Sequence, residues 1–161
     1  MSLGDNMSKE RVIEYFKKHN MEEKIYEFDD SSATVALAAQ QLNCEESRIA
    51  KTLAFMVEEK PILIVAAGDV KIDNAKYKEE FKVKAAMVQR EDLEKLVGHA
   101  VGGVCPFEIK DGVKVYLDKS LQRFDIVYPA CGASNNAIKL TIKELEEHSR
   151  SIKWIDVCKI K

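Results

Sequence analysis

Lys51 is the residue whose placement most needs a chemical reason. It stands where a helical turn, Glu45–Ala50, meets an apolar run, and period-two alternation puts it on one strand face with Leu53, Phe55 and Val57. Lysine is rarely buried without a partner. Either its stem lies along apolar surface while the ammonium reaches water, or the ammonium anchors a phosphate or carbonyl oxygen at the mouth of a pocket. A second stretch, Val101-Gly102-Gly103-Val104-Cys105-Pro106, sets two glycines side by side. Adjacent glycines let main-chain N–H groups approach a ligand and hold a developing oxyanion, and they equally make an ordinary turn or bulge. A third, Pro129-Ala130-Cys131-Gly132-Ala133-Ser134-Asn135-Asn136, offers small residues, a hydroxyl and two amides between two expected strands. It reads as a pocket wall or as a polar hairpin loop.

Other chemistries find less support. The histidines, His19, His99 and His148, form no Ser-His-Asp pattern, and only His99 is near the glycine pair in sequence. Cys44, Cys105, Cys131 and Cys158 are widely spaced, without a C-x-x-C pair or a histidine at ligand spacing, so neither a metal nor another cofactor is expected. Reduced thiols fit a cytoplasmic protein. Cys105 or Cys131 as a nucleophile is an alternative, and it requires a lowered thiol pKa.

The elements that must position these residues follow from patterning. The 161 residues, 46% of them hydrophobic, suffice for one ordinary core, and we expect one domain over 8–161 behind a disordered leader or expression scar at 1–7. Charged residues make up 32% and nearly cancel, to a formal −2, which excludes a generally basic nucleic-acid coat. The longest apolar runs, Leu53–Val57 and Ile62–Ala67, are strand-sized, so no membrane span is expected. Helical spacing predicts a helix over Ser8–Asn20 with Ser8 as its cap, and others at Thr34–Leu42, Asn74–Phe81, Arg90–Val97 and Ile142–His148. Lys24–Phe28 and Val83–Val88 read as short strands, and Thr52–Val57 with Pro61–Ala66 as a buried antiparallel hairpin. Val113–Leu117, Asp125–Tyr128, Ala137–Thr141 and Trp154–Val157 read as later strands. Hairpins mixed with irregularly placed helices indicate an α+β fold with a mixed, strongly curved, barrel-like sheet flanked by helices.

In this order the three stretches resemble the YbaK/prolyl-tRNA-synthetase-associated editing domain family. The likeness runs from about Tyr26 to about Leu145: Ile25-Tyr26, Ala36–Leu42, Arg48-Ile49-Ala50-Lys51-Thr52-Leu53, Val101 to Phe107, Gly132-Ala133-Ser134, Ile138-Lys139-Leu140-Thr141 and Glu144-Leu145. The resemblance implies a freestanding hydrolase that removes a wrongly esterified amino acid from the 3′ end of tRNA, with tRNA(Pro) carrying a small noncognate amino acid as the expected substrate and prolyl-tRNA synthetase as a candidate partner. By position it implies that Lys51 is the family's key lysine, that Gly102 to Pro106 is its G-x-x-x-P loop, and that Tyr26, Val104, Pro106, Gly132 and Ser134 line the substrate pocket. Gly102 and Gly103 would supply oxyanion donors, and a free ribose hydroxyl of the substrate would help activate water. Asn135-Asn136-Ala137 departs from relatives that carry a basic and an acidic residue there, so the resemblance leaves the amino acid removed open. A noncatalytic module that binds charged tRNA or a synthetase is the alternative reading.

Overall fold

The computed structural model describes residues 3–161. Of the expected leader, residues 1 and 2 lie outside the described residues, and helix α1 spans Leu3–Lys18. Because α1 starts before Ser8, that serine is an interior helical residue and not a cap; its hydroxyl bonds His99 instead. Val12 and Phe16, one turn apart, are fully buried, and Asn20 ends the turn in the left-handed region at φ 59°. Strand β1 (Ile25–Glu27) follows. Helix α2 (Val35–Leu42) opens on Thr34, whose hydroxyl accepts from Leu37 N–H at 3.1 Å, and closes on left-handed Asn43.

A 3-10 turn at Glu46–Arg48 feeds β2 (Ile49–Val57), which pairs antiparallel with β3 (Lys60–Ala67) from Ala50↔Ala67 to Val57↔Lys60. Glu58 and Glu59 both have positive φ, 49° and 67°, as the tight two-residue hairpin turn demands despite their side chains. Strand β4 (Val70–Ile72) leads to α3 (Asn74–Phe81), capped by Asp73, which accepts from Ala75 and Lys76 N–H. Beyond it the expected Val83–Val88 strand shrinks to one bridge, Phe55↔Met87. The expected Arg90–Val97 helix divides into a 3-10 turn at Arg90–Asp92 and the four-residue α4 (Leu93–Leu96).

The remaining elements are β5 (Lys114–Asp118), β6 (Ile126–Pro129), β7 (Asn136–Ile138), β8 (Leu140–Thr141), α5 (Ile142–Ser149), β9 (Lys153–Ile155) and β10 (Cys158–Ile160). Thr141 and Glu144 form a reciprocal capping box at the start of α5. The main sheet runs β8-β6-β2-β3-β5-β9, mixes parallel and antiparallel pairs, and curls into a half barrel among five helices. This is the α+β architecture expected from the sequence. Strand β3 lies between β2 and β5, and Leu63 to Ala67 are completely buried, which is why that run is apolar without alternation. The pairs β1–β7 and β4–β10 stand beside the main sheet; neither β4 nor β10 carries a pattern long enough to be read in advance.

Candidate active site

Strand β2 changes partners along one edge. Its parallel ladder with β6 covers only Ile49↔Tyr128 and Ala50↔Pro129. Farther on, Val88 N–H donates to Ala54 C=O at 3.0 Å and Met56 N–H to Ala86 C=O at 2.7 Å. Even-numbered residues of β2 therefore present their main-chain groups to this edge, and Thr52 falls in the gap between the two pairings. A cavity of about 360 Å³ opens at the gap, within the ~300–1,000 Å³ range of small-molecule sites. Its wall draws on β2 (Ala50 to Ala54), the start of α2 (Val35, Ala38), Val88 and Leu93, the glycine loop (Val101, Gly102, Val104), and Ala130 with Ala137. The lining is mostly apolar.

The glycine loop is held against two other segments so closely that side chains are excluded. A Cβ on Gly102 would sit 3.2 Å from Ser134 Cβ and 3.3 Å from Ala33 Cβ, and Gly102 has φ +87°. One on Gly103 would meet the Gly132 carbonyl at 3.0 Å, and one on Gly132, at φ +90°, would meet Ser8 C=O in α1 at 2.8 Å. Gly103, Gly132 and α1 are thus stacked backbone on backbone. Gly103 also donates its N–H to Ala100 C=O at 3.0 Å and does not line the cavity. That corrects the expectation of two free donors: the turn consumes one. Gly102 lines the cavity, and its N–H has no backbone partner among the described residues.

Lys51 and Gly102 border the same cavity, so the fold brings together two stretches about fifty residues apart. The lysine is half-buried, and its ammonium donates to Val70 C=O on β4. Burial lowers its pKa, the Lys161 ammonium lowers it further, and Asp69 pulls the other way. The side chain therefore runs from the cavity wall to the cationic β4–β10 edge and is not loose in solvent.

Residues assigned to the pocket by resemblance divide in two. Val104 lines the cavity; Pro106 and Gly132 are buried behind it, and Ser134 is exposed but touches Gly102. Tyr26, pinned opposite Ala137 in the β1–β7 pair, stands outside the wall with its ring 6.3 Å from that of Tyr128. Tyr128 itself lines the cavity. Tyr128, Thr52 and Arg90, to which the sequence assigns no role, also stand at the wall, together with Asn136 of the third stretch. Asn136 is the most structured of these: its Oδ1 accepts from Cys131 and Ala133 N–H, and its Nδ2 donates to Cys131 C=O at 3.0 Å. An asparagine closing its own loop is a turn signal available in sequence, whereas Thr52 and Tyr128 show only strand propensity.

His99 and Cys105, neighbours of the loop, make no catalytic dyad. Both are fully buried. Ser8 Oγ donates to His99 Nδ1, and His99 Nε2–H donates to Phe107 C=O at 2.7 Å, so no imidazole lone pair is left to act as a base. Burial holds the His99 pKa down to about 4 and pushes the Cys105 thiol up to about 12, the wrong direction for a nucleophile. Cys131, also buried, is raised for the same reason. Among the described residues no group of three or more His, Cys, Asp or Glu is placed to hold a metal ion.

The sequence profile of the aminoacyl-tRNA editing domain matches residues 29–148. The uncharacterized protein YwhH of Bacillus subtilis (strain 168) is 51% identical over 154 residues, 95% of this chain and 98% of its own. A proline–tRNA ligase of Streptococcus sanguinis (strain SK36) is 28% identical over 109 residues; they cover 67% of this chain but only 17% of the ligase. Among solved structures, one described as a candidate trans-editing enzyme for prolyl tRNA synthetase superposes with a TM-score of 0.84 at 26% identity, covering 99% of both chains.

Proposed function

The chain belongs to the aminoacyl-tRNA editing domain family, and from that membership we propose that it is a trans-acting deacylase, hydrolysing the ester between a small noncognate amino acid and the terminal ribose of tRNA. The observation that carries the reading is the shared cavity, where a half-buried lysine and an uncommitted glycine N–H border one small apolar chamber. tRNA(Pro) is the substrate we favour, because the same region of sequence recurs within proline–tRNA ligases.

Water attacks the ester carbonyl, the tetrahedral intermediate expels the ribose hydroxyl, and free amino acid and uncharged tRNA leave. The carbonyl oxygen gains charge on the way. Gly102 N–H is the donor suited to hold it, since a preformed amide costs no reorganisation at that moment. The Lys51 ammonium, released from Val70 C=O, anchors the terminal phosphate or the carbonyl and so fixes the ester in the chamber. No protein side chain presents itself as a base, so the free hydroxyl of the terminal ribose orients and activates the water, relaying its proton to the departing ribose oxygen.

Deacylation of a panel of mischarged tRNAs tests this directly. The wild type should turn over a tRNA(Pro) bearing a small noncognate residue many times, and Lys51→Ala should lower kcat/KM by about a hundredfold while leaving the circular dichroism unchanged. Binding without turnover would instead identify a noncatalytic module.

A further inference from the structure

The gap in the sheet edge beside Thr52 has the size of one residue. Had the 86–88 segment continued its antiparallel pairing with β2, Arg90 would stand opposite Thr52; instead the chain turns away at Arg90–Asp92 into a 3-10 turn. On the other side the β6 ladder stops at Ala50. The N–H and C=O of Thr52 thus face the cavity, one donor and one acceptor spaced as a strand presents them to its neighbour. The third polar group of this residue is also without a partner: Oγ1 is closed off from solvent and makes no hydrogen bond among the described residues. A buried polar group left unpaired costs free energy, and three on one residue at a cavity wall call for a ligand that satisfies them.

We propose that Thr52 binds the α-aminoacyl group of the substrate as a single-residue strand and so makes a free α-amino group a requirement of this site. An aminoacyl ester carries the two groups that one residue of a strand presents, a nitrogen donor and a carbonyl acceptor flanking one Cα. Docked at the gap, its α-ammonium donates to Thr52 C=O, and its carbonyl accepts from Thr52 N–H alongside Gly102 N–H. Turning Oγ1 about χ1 lets it take a second ammonium proton. An acyl group on the nitrogen removes the cation and two of its protons and lengthens the strand toward segments that already occupy both ends of the gap. Esters with a blocked amine, including the growing peptide and the initiator's N-formyl amino acid, are refused on this ground. The inference rests on the deacylase reading and adds to it the class of ester accepted.

Two measurements separate its failure from failure of that reading. In 15N-labelled protein titrated with the non-hydrolysable 3′-deoxy-3′-(L-alanylamino)adenosine, the Thr52 amide proton should move downfield and exchange at least about tenfold more slowly. The N-acetylated analogue should leave it unmoved. In turnover, the preference for alanyl over N-acetylalanyl ester on the favoured tRNA, each normalised to its uncatalysed hydrolysis, should be roughly a hundredfold or more. Thr52→Val should shrink that ratio about tenfold by slowing the free-amine ester, and Thr52→Ser should restore it. A response at Gly102 with none at Thr52, or equal normalised rates on both esters, overturns the inference and leaves the deacylase standing. No response at either amide and no turnover of any mischarged tRNA removes both.

Discussion

Gly102 and Gly132 share a positive φ but not a neighbourhood, and their alanine variants should differ accordingly. At Gly102 the added methyl meets two Cβ atoms at 3.2 and 3.3 Å, a crowding relieved by a shift of a few tenths of an ångström. The left-handed backbone is the main penalty, about 1 kcal/mol, and urea unfolding should register it. At Gly132 the methyl strikes the Ser8 carbonyl at 2.8 Å, backbone of α1, so the helix must move. Gly132→Ala should cost about 2 kcal/mol or more, and equal penalties at the two positions would mean that α1 does not press on this loop. Cysteine chemistry offers a simpler check. Cys105 and Cys131 are fully buried with raised pKa values, so iodoacetamide at neutral pH should spare deacylation, whatever it does to the partly exposed Cys44.

At the scale of elements, the junction of α1 with the glycine loop depends on a neutral histidine. His99 is sandwiched between Ser8 of α1 and Phe107 C=O, and Arg11 of the same helix donates to Gly98 C=O at 2.7 Å beside it. Protonating His99 would convert Nδ1 from acceptor to donor, bury a charge and add repulsion from Arg11. Its folded pKa, about 4, lies below the ordinary 6.5, so the unfolded chain binds the extra proton first. The resulting stability is intact above pH 6.5, declines as pH falls through that value, and is lost by about pH 4. The full difference corresponds to about 3 kcal/mol. Urea midpoints measured between pH 7 and 4 should fall accordingly, and His99→Gln, less stable at pH 7, should show a flatter profile.

Considered whole, the molecule carries a formal −2, and whatever draws it to RNA must be local. Of the lysine-rich stretch through α3, Lys76 is already engaged with Asp156 at 3.2 Å and with Cys158 C=O. Lys71 and Lys159 stand directly opposite each other in the β4–β10 pair, a like-charge placement that an RNA phosphate would relieve. Lys161 at the end of the same edge is near enough to perturb Lys51, so the cationic edge and the cavity adjoin. Two or three phosphate contacts there predict a roughly tenfold to thirtyfold loss of tRNA affinity between ~50 and ~200 mM salt. Replacing Lys71 and Lys159 with alanine should reduce the salt slope by about one to two; an unchanged slope would place the RNA elsewhere.

Much of this architecture was legible before any coordinates, because local physics is written locally. An unbroken apolar run from Ile62 to Val65 signals a strand buried on both faces, Thr34 and Asp73 cap helices with their own side chains, and Gly102-Gly103 marks a place where backbone meets backbone. The ends of α1, the collapse of Val83–Val88 to one bridge and the β4–β10 pair were not legible, since each depends on what the rest of the chain supplies. The same holds within the cavity. Sequence alone singled out Lys51 and the glycine loop by their residue types. Only tertiary structure decided that Gly103 spends its N–H on Ala100, that Tyr26 stands behind Tyr128, and that Thr52 falls where two ladders fail to meet, because a strand's unpaired edge is defined by neighbours distant in sequence.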